Sequence, residues 1–541
     1  MVFRHQFIFN TFISMKRKLL ILIFTLFICQ SDKSIAQITF QNVNNETSFG
    51  HGFSVLQTYD SGFVVAGGSQ IGGTFEICLR KCDSIGNAIW SKSYRRNIWI
   101  PGMAEACQQT PDSGFIIAGG TTDNGFSNSF LIKTNSIGDT IWTRVFVSGS
   151  TYQIRTFSVD QTNDGGYILA GSAFTSNSYD IHLIKTDSLG NLVWSTTFGR
   201  NYNDYCFSVK QTNDGGYIAT GATTNTAAGS EDVLLFKTDS AGNFVWTKRY
   251  GSIGADVGRS VLQASDGGFI IAGSTRSYGA GDADIFLIRT DSNGDVLWTK
   301  TFGGVEFDDG FTIVPTMDGG FAVVGRTRSF GMGDKDVYLV KLDSSGNELW
   351  SRAYGSAGSD EGYSVAENRD GSFILSGNTN LIGSVRTYMV KTDTVGDSEC
   401  NFANAATVVT SPTTVQTSIV VNIIPVSYTT SSMNVTVDTV PLSTLICSSG
   451  DTVGVDELVS DKLFCVFPNP SSEEFTISFA QIIENGFVEL YNVYGKKVLT
   501  EKIRNEIRKE IKPVAISSGV YFLKVYDGEK SACNKLIIKR N

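Results

Sequence analysis

A four-residue phrase, Asp followed by two Gly or Ser residues and an aromatic, begins at Asp60, Asp112, Asp164, Asp214, Asp266, Asp318 and Asp370. It therefore recurs every 52 residues, with a single interval of 50. Tryptophan keeps the same period at Trp90, Trp142, Trp194, Trp246, Trp298 and Trp350, and a base stands nine residues before each: Lys81, Lys133, Lys185, Lys237, Arg289 and Lys341. A chain repeating one unit this often folds by stacking copies, because each copy leaves a face that only its neighbour can bury.

One copy, Ser260 to Phe302, reads SVLQAS, DGG, FIIAGST, RSYGAGDA, DIFLIRT, DSNGD, VLWTKTF. This is four short strands of alternating or wholly apolar character separated by turn residues. Gly supplies the positive φ of the DGG hairpin, and the Asp and Gly of DSNG suit a second tight turn. Four strands in about fifty residues is the size of a propeller blade. The seventh copy has Cys400 in place of its tryptophan and no fourth strand after it, whereas Ile38–Val43 (ITFQNV) is a strand lying ahead of the first copy. That segment stands in the register of a fourth strand, so it is expected to complete the last blade. The predicted fold is all-β: a seven-bladed β-propeller over residues 37–400, with a small second domain behind it.

The phrase D-S-x-G-N-x-x-W resembles the tryptophan-docking motif of quinoprotein-type propellers and, less closely, the Asp-box of sialidases. In both families the motif is structural, so the resemblance bears on fold and brings no quinone or sialidase chemistry with it.

At the N-terminus, Lys16, Arg17 and Lys18 precede an apolar run from Leu19 to Cys29, too short for a membrane anchor, and Ser34-Ile35-Ala36 offers small residues for a peptidase. Residues 1–36 read as a signal peptide cleaved between Ala36 and Gln37, and no transmembrane segment is expected. Residues 401–457 are rich in Thr, Ser and Val and read as a linker with some strand character. Cys400 and Cys447 bracket it and could pair, since export permits disulfides; two free thiols are the alternative.

From residue 458 short strands return. Pro468-Asn469-Pro470 after Phe467, the turn ending at Gly495, Gly519-Val520-Tyr521-Phe522 and the last strand from Lys535 resemble the type A C-terminal sorting domain of the type IX secretion system. The resemblance implies an immunoglobulin-like β-sandwich over 458–541, contact with the type IX machinery, and display on or release from the outer surface of a Gram-negative bacterium. Composition agrees with two modules. The formal charge is −9, yet residues 458–541 hold 13 Lys and Arg against 10 Asp and Glu, so the acidity lies in the repeat. An acidic repeat argues against nucleic acid as a partner.

No nucleophile elbow, Walker loop or HExxH appears. Asp180, Asp232, Asp284 and Asp336 recur and read as structural, although Asp282 with Asp284 and Asp334 with Asp336 could hold Ca²⁺; otherwise no cofactor or metal is expected. The loops between second and third strands, and between blades, share one face and diverge among copies. Exposed aromatics among acids there suit sugar stacking or a protein interface: Trp99, Tyr202, Tyr205, Tyr278, Phe307 and Phe330, with Asp308. The expected function is a secreted or cell-surface binding scaffold, monomeric, for a glycan or protein ligand. The competing reading is a glycan hydrolase or lyase using carboxylates of the same face.

Overall fold

The computed structural model describes residues 38–448 and 464–538, apart from short segments of which 468–474, 96–101 and 513–518 are the longest. The chain divides into two compact units, one up to Thr452 and one from Val453. The first is an all-β, propeller-like repeat.

Among the described residues, this unit holds seven antiparallel sheets of five strands each. We call the strands of a sheet A to E, from the innermost. In the fifth sheet they are A Asp256–Gln263, B Phe269–Thr275, C Asp284–Thr290, D Val296–Gly303 and E Val408–Thr410. B and C are buried along nearly their whole length and carry the β-branched and aromatic runs that such burial favours. Successive sheets share apolar clusters such as Ile270, Leu287, Phe302, Ile313, Val323 and Val340. The A strands pack against one another from sheet to sheet, and the first against the seventh.

The recurring base and acid meet in every sheet. Lys133 reaches Asp112 at 2.8 Å and Arg289 reaches Asp266 at 2.6 Å, each tying strand C to the A–B turn. Burial works against ionised Asp112, yet the hydrogen bonds from Lys133, Thr110 and the Gly114 N–H hold it down at about 2. Each tryptophan faces the C–D turn of the next sheet. Gly294, at φ +79°, leaves so little room that a methyl group there would stand 2.9 Å from the Trp246 ring.

The segment ahead of the first repeat is strand D of the seventh sheet. Phe40–Asn44 pairs antiparallel with Arg386–Lys391, and Phe40 stands opposite Lys391 as Trp246 stands opposite Lys237. Phe40 thus occupies the seventh tryptophan position. Its ring is fully buried and lies against Gly86 of the first sheet, where a methyl group would come within 2.8 Å of it.

Where the sequence suggests a linker, the structure has strands. Seven short segments between Phe402 and Ser448 supply strand E of every sheet, each antiparallel to a D strand. They visit the sheets in reverse order, from sixth to first, and finish on Phe40–Asn44 of the seventh. From the second onward they start at residues 408, 415, 422, 429, 436 and 443, a spacing of seven. The physical reason is the open edge of each D strand, a row of unpaired N–H and C=O groups that a Thr- and Val-rich chain with a single charged residue, Asp438, can pair. The segment is a belt around the repeat and belongs to the first compact unit.

The second unit has a three-stranded sheet (Phe464–Phe467, Phe475–Ile483, Glu506–Ile511) and a four-stranded one (Gly486–Asn492, Lys497–Ile503, Gly519–Asp527, Lys530–Ile538). They enclose one core that includes Ile477, Val488, Leu490, Tyr521 and Leu523.

Candidate functional site: the axial ring and its cavity

Every A strand carries a β-bulge at the same place. In the first sheet Gly52 pairs with Gly67 and Ser54 with Ala66, which leaves Phe53 as the extra residue. The equivalent bulges carry Glu105, Phe157, Phe207, Arg259, Phe311 and Tyr363. A bulge re-aims its side chain, and because A is the innermost strand these seven meet around the axis. Phe157 and Phe207 meet edge to face at 5.4 Å, Phe311 and Tyr363 at 5.1 Å, and Phe53 lies 5.2 Å from Tyr363. The Arg259 guanidinium lies 4.6 Å from the Phe207 ring centre and 5.7 Å from that of Phe311.

The two sides of this ring differ electrostatically. On one side the charges satisfy each other: Glu361 takes Lys335 at 2.6 Å and Arg326 at 2.9 Å, and Arg326 also reaches Asp309 at 3.3 Å. Burial opposes the Glu361 charge, but the bonds from Lys335 and Tyr363 and the nearby Arg326 bring its carboxyl down to about 2. Burial lowers the His51 pKa against the pull of Glu361 and a hydrogen bond with Asn378. On the other side a cavity of about 420 Å³ opens, lined chiefly by Arg155, Phe157, Tyr179, Tyr205, Phe207 and Arg259, with Gln153, Ser127, Ser172 and Glu231 adding polar groups. Arg155 is paired with Glu105 at 2.5 Å, and burial raises the Glu105 pKa in spite of that cation. Arg259 makes no ion pair among the described residues, and its Nε is buried without a hydrogen-bond partner.

The expected ligand-face residues are placed unevenly. Tyr205 lines the cavity, stacked 6.2 Å from Phe207 and tilted at 5.3 Å from Tyr179. Tyr202 is exposed. Tyr278 packs on Phe286 and donates its hydroxyl to the Gly251 carbonyl at 3.0 Å, and Phe330 packs on Tyr338. Phe307 lies within 5.7 Å of Arg276 and 5.2 Å of Arg326. Asp308 is fully buried, its Oδ2 accepting from the Gly304 N–H and the Ser329 hydroxyl, both at 2.7 Å. Trp99 lies outside the described residues.

Asp308 belongs to a recurring device. Asp180, Asp232, Asp284 and Asp336, at the C strands, each stand near an acid opening the next A strand: Asp204, Asp256, Asp308 and Asp360. Burial, reinforced by the neighbouring acid, lifts Asp180, Asp232, Asp284 and Asp336 to about 6. These carboxylates organise loops by accepting N–H groups; Asp284 takes that of Ala280 at 2.8 Å and Asp336 that of Met332 at 2.9 Å. The acids read as a calcium pair are likewise engaged, Asp282 with Arg276 and Asp334 with Arg328, both at 3.2 Å. Among the described residues no three His, Cys, Asp or Glu side chains are grouped for a metal. His182 is buried against Thr197, and burial takes its pKa down to about 3.

In the second unit Tyr521 is a core residue, the strand starting at Gly519 runs to Asp527, and Lys535 pairs with Phe522. Pro468, Asn469, Pro470 and Gly495 lie outside the described residues, as do Ala36, Gln37 and Cys400; the backbone of Cys447 pairs with Gln41 in the belt.

Sequence reasoning missed the axial ring. Its signal is a column seven residues before each repeat Asp, where Phe, Glu, Phe, Phe, Arg, Phe and Tyr follow a small residue in nearly every copy.

Residues 465–539 match the family described as the secretion system C-terminal sorting domain. The match supports export through type IX secretion to the cell surface or outside. A 181-residue stretch is 28% identical to the regulatory protein FlaEY of Caulobacter vibrioides, covering 29% of this chain and 18% of that protein. The chain thus spans less than a fifth of that relative. Among solved structures, Sqt1 of Chaetomium thermophilum aligns over 68% of this chain and 87% of its own, at 12% identity and TM-score 0.33. The extracellular domain of a hybrid two-component system of B. thetaiotaomicron aligns over 91% and 73%, at 11% identity and TM-score 0.24. Both scores are too low to bear on the argument. No helix of the described residues is long and apolar enough to cross a membrane.

Proposed function

We propose that the chain is a secreted or surface-held binding scaffold: a closed seven-bladed propeller delivered by the type IX system. In this reading residues 1–36 are a signal peptide, and residues 458–541 are an immunoglobulin-like sorting tag read by the secretion machinery. The sorting-domain match over residues 465–539 is the observation that carries export. Binding is supported by the axial cavity, a concave site with aromatic walls and a few convergent polar groups. Tyr205, one of the loop-face aromatics, belongs to its wall.

The tests are separable. Deleting 458–541 and fractionating the cells should leave the repeat unit in the periplasm; surface display without the tag would overturn the export assignment. A glycan and surface-protein array probed with the purified chain should show saturable binding without turnover. Hydrolysis or lysis of a bound glycan would replace the scaffold by the enzyme reading.

A further inference from the structure

The axial ring is built mainly from aromatic rings, and most of the charges around it cancel in pairs. Asp309 and Glu361 face Arg326 and Lys335, and Glu105 faces Arg155. Arg259 is different. It is held between the faces of Phe207 and Phe311, it has no ion pair among the described residues, and it borders the cavity. A guanidinium stacked on aromatic rings keeps its hydrogen-bonding edge free, and that planar fork matches a carboxylate. Holding an uncompensated cation partly out of water is costly, and an arriving anion removes that cost.

The rest of the lining indicates what the anion is attached to. Phe207 lies against Arg259, and Tyr205, Phe157 and Tyr179 line the same cavity, while Gln153, Ser127, Ser172 and the tyrosine hydroxyls supply scattered donors and acceptors. Aromatic faces interleaved with small polar groups suit a hydroxylated ring, which offers C–H faces for stacking and hydroxyls for bonding. Glu231 is the one acid among the described lining residues and accepts hydroxyl protons. The cavity falls in the size range of small-molecule pockets.

We propose that this cavity binds an acidic saccharide, with Arg259 taking the carboxylate of a uronic acid and Tyr205 and Phe207 stacking on its ring. The proposal rests on the scaffold reading above and names the ligand class for it.

The test is calorimetric titration of the purified full chain with short oligomers of galacturonic acid, with the matching neutral galactose oligomers, and with a short poly-glutamate peptide. A charge-assisted bond of this kind corresponds to about ten- to a hundredfold in affinity. The uronate oligomer should therefore bind at least about tenfold more tightly than the neutral one, and Arg259→Gln should lose about the same factor. Arg276→Gln, on an exposed loop, should leave binding unchanged. To separate loss of binding from loss of folding at the bulge, the urea midpoint of Arg259→Gln is compared with wild type, and the acidic-to-neutral ratio on the wild-type chain stands independently of any variant. Equal affinity for acidic and neutral oligomers overturns the proposal, as does unaltered binding by a folded Arg259→Gln chain. Poly-glutamate binding as tightly as the uronate overturns the saccharide class in favour of an acidic peptide. No uronate binding also overturns it; the scaffold reading would survive if the array returned another ligand, and would fall with it if the array were blank.

Discussion

Replacing Phe40 by Ala tests whether the strand ahead of the repeats is structural. Phe40 is fully buried, meets Phe63 edge to face at 6.0 Å, and shares a cluster with Val55, Val65, Cys82, Ile374 and Met389. That cluster spans the first and seventh sheets, so the ring lies in the contact between chain-distant copies. An aromatic side chain buries about 150–250 Å². At about 25 cal/mol/Å² this is worth roughly 4–6 kcal/mol as an upper bound. Part of the ring's area stays covered after truncation, so we expect a loss of about 3–5 kcal/mol. All seven tryptophans lie in the first unit, so their fluorescence during urea unfolding reports on it and not on the C-terminal unit. Trp246→Ala, at the equivalent place in an interior sheet, is the reference: both variants should lower the midpoint of one common transition. A Phe40→Ala midpoint equivalent to less than about 0.5 kcal/mol from wild type, with Trp246→Ala clearly destabilised, would refute the reasoning, because changes of that size are typical of surface sites.

Three further outcomes follow from the same geometry. Gly294→Ala places a methyl group 2.9 Å from the Trp246 ring at φ +79°, and should cost at least about 1–3 kcal/mol in the same unfolding assay. Asp232 has a folded pKa of about 6, above the usual value, so the folded state binds more protons between about pH 4 and 6. Its contribution is therefore present at the acid end and lost as pH rises through about 6, and Asp232→Asn should flatten the fall of the urea midpoint over that interval. Acids such as Asp112, held at about 2, act in the opposite sense and lose their contribution as pH falls below about 4. A wild-type midpoint rising steadily from pH 4 to 7 would contradict the assignment of the raised group. Removing Phe402–Ser448 uncovers the edge of every D strand, and the shortened repeat should associate with rising concentration in light scattering while the intact chain does not.

The repeat strands and their turns were legible because period-two burial and Asp-Gly turns leave a strong local imprint, and fifty-residue copies repeat it. The pairing of Phe40–Asn44 was legible because the last copy visibly lacked a strand. The belt was harder to see. Its strands are three to six residues long, they alternate weakly, and their partners lie up to about four hundred positions away in the chain. Their spacing of seven is visible only once their edges are known. The axial residues were hidden for another reason: an aromatic inside an alternating strand looks like core, and only the bulge turns it toward the axis. Tyr278 and Phe330 show the converse, since whether a loop aromatic faces water or packs beneath its own loop depends on a backbone path that residue types do not specify.

Hydrogen–deuterium exchange on the exported chain tests most directly the claim that a ring of seven sheets is completed by its first strand and girdled by its belt. Peptides covering Phe40–Asn44 and the segments from Phe402 to Ser448 pair with D and C strands through backbone hydrogen bonds. Their amides should be protected on the timescale of the B and C strands, and Phe40→Ala should raise exchange in the first and seventh sheets together. Exchange of both regions at the rate of an unfolded peptide, with the repeat strands still protected, would contradict the account.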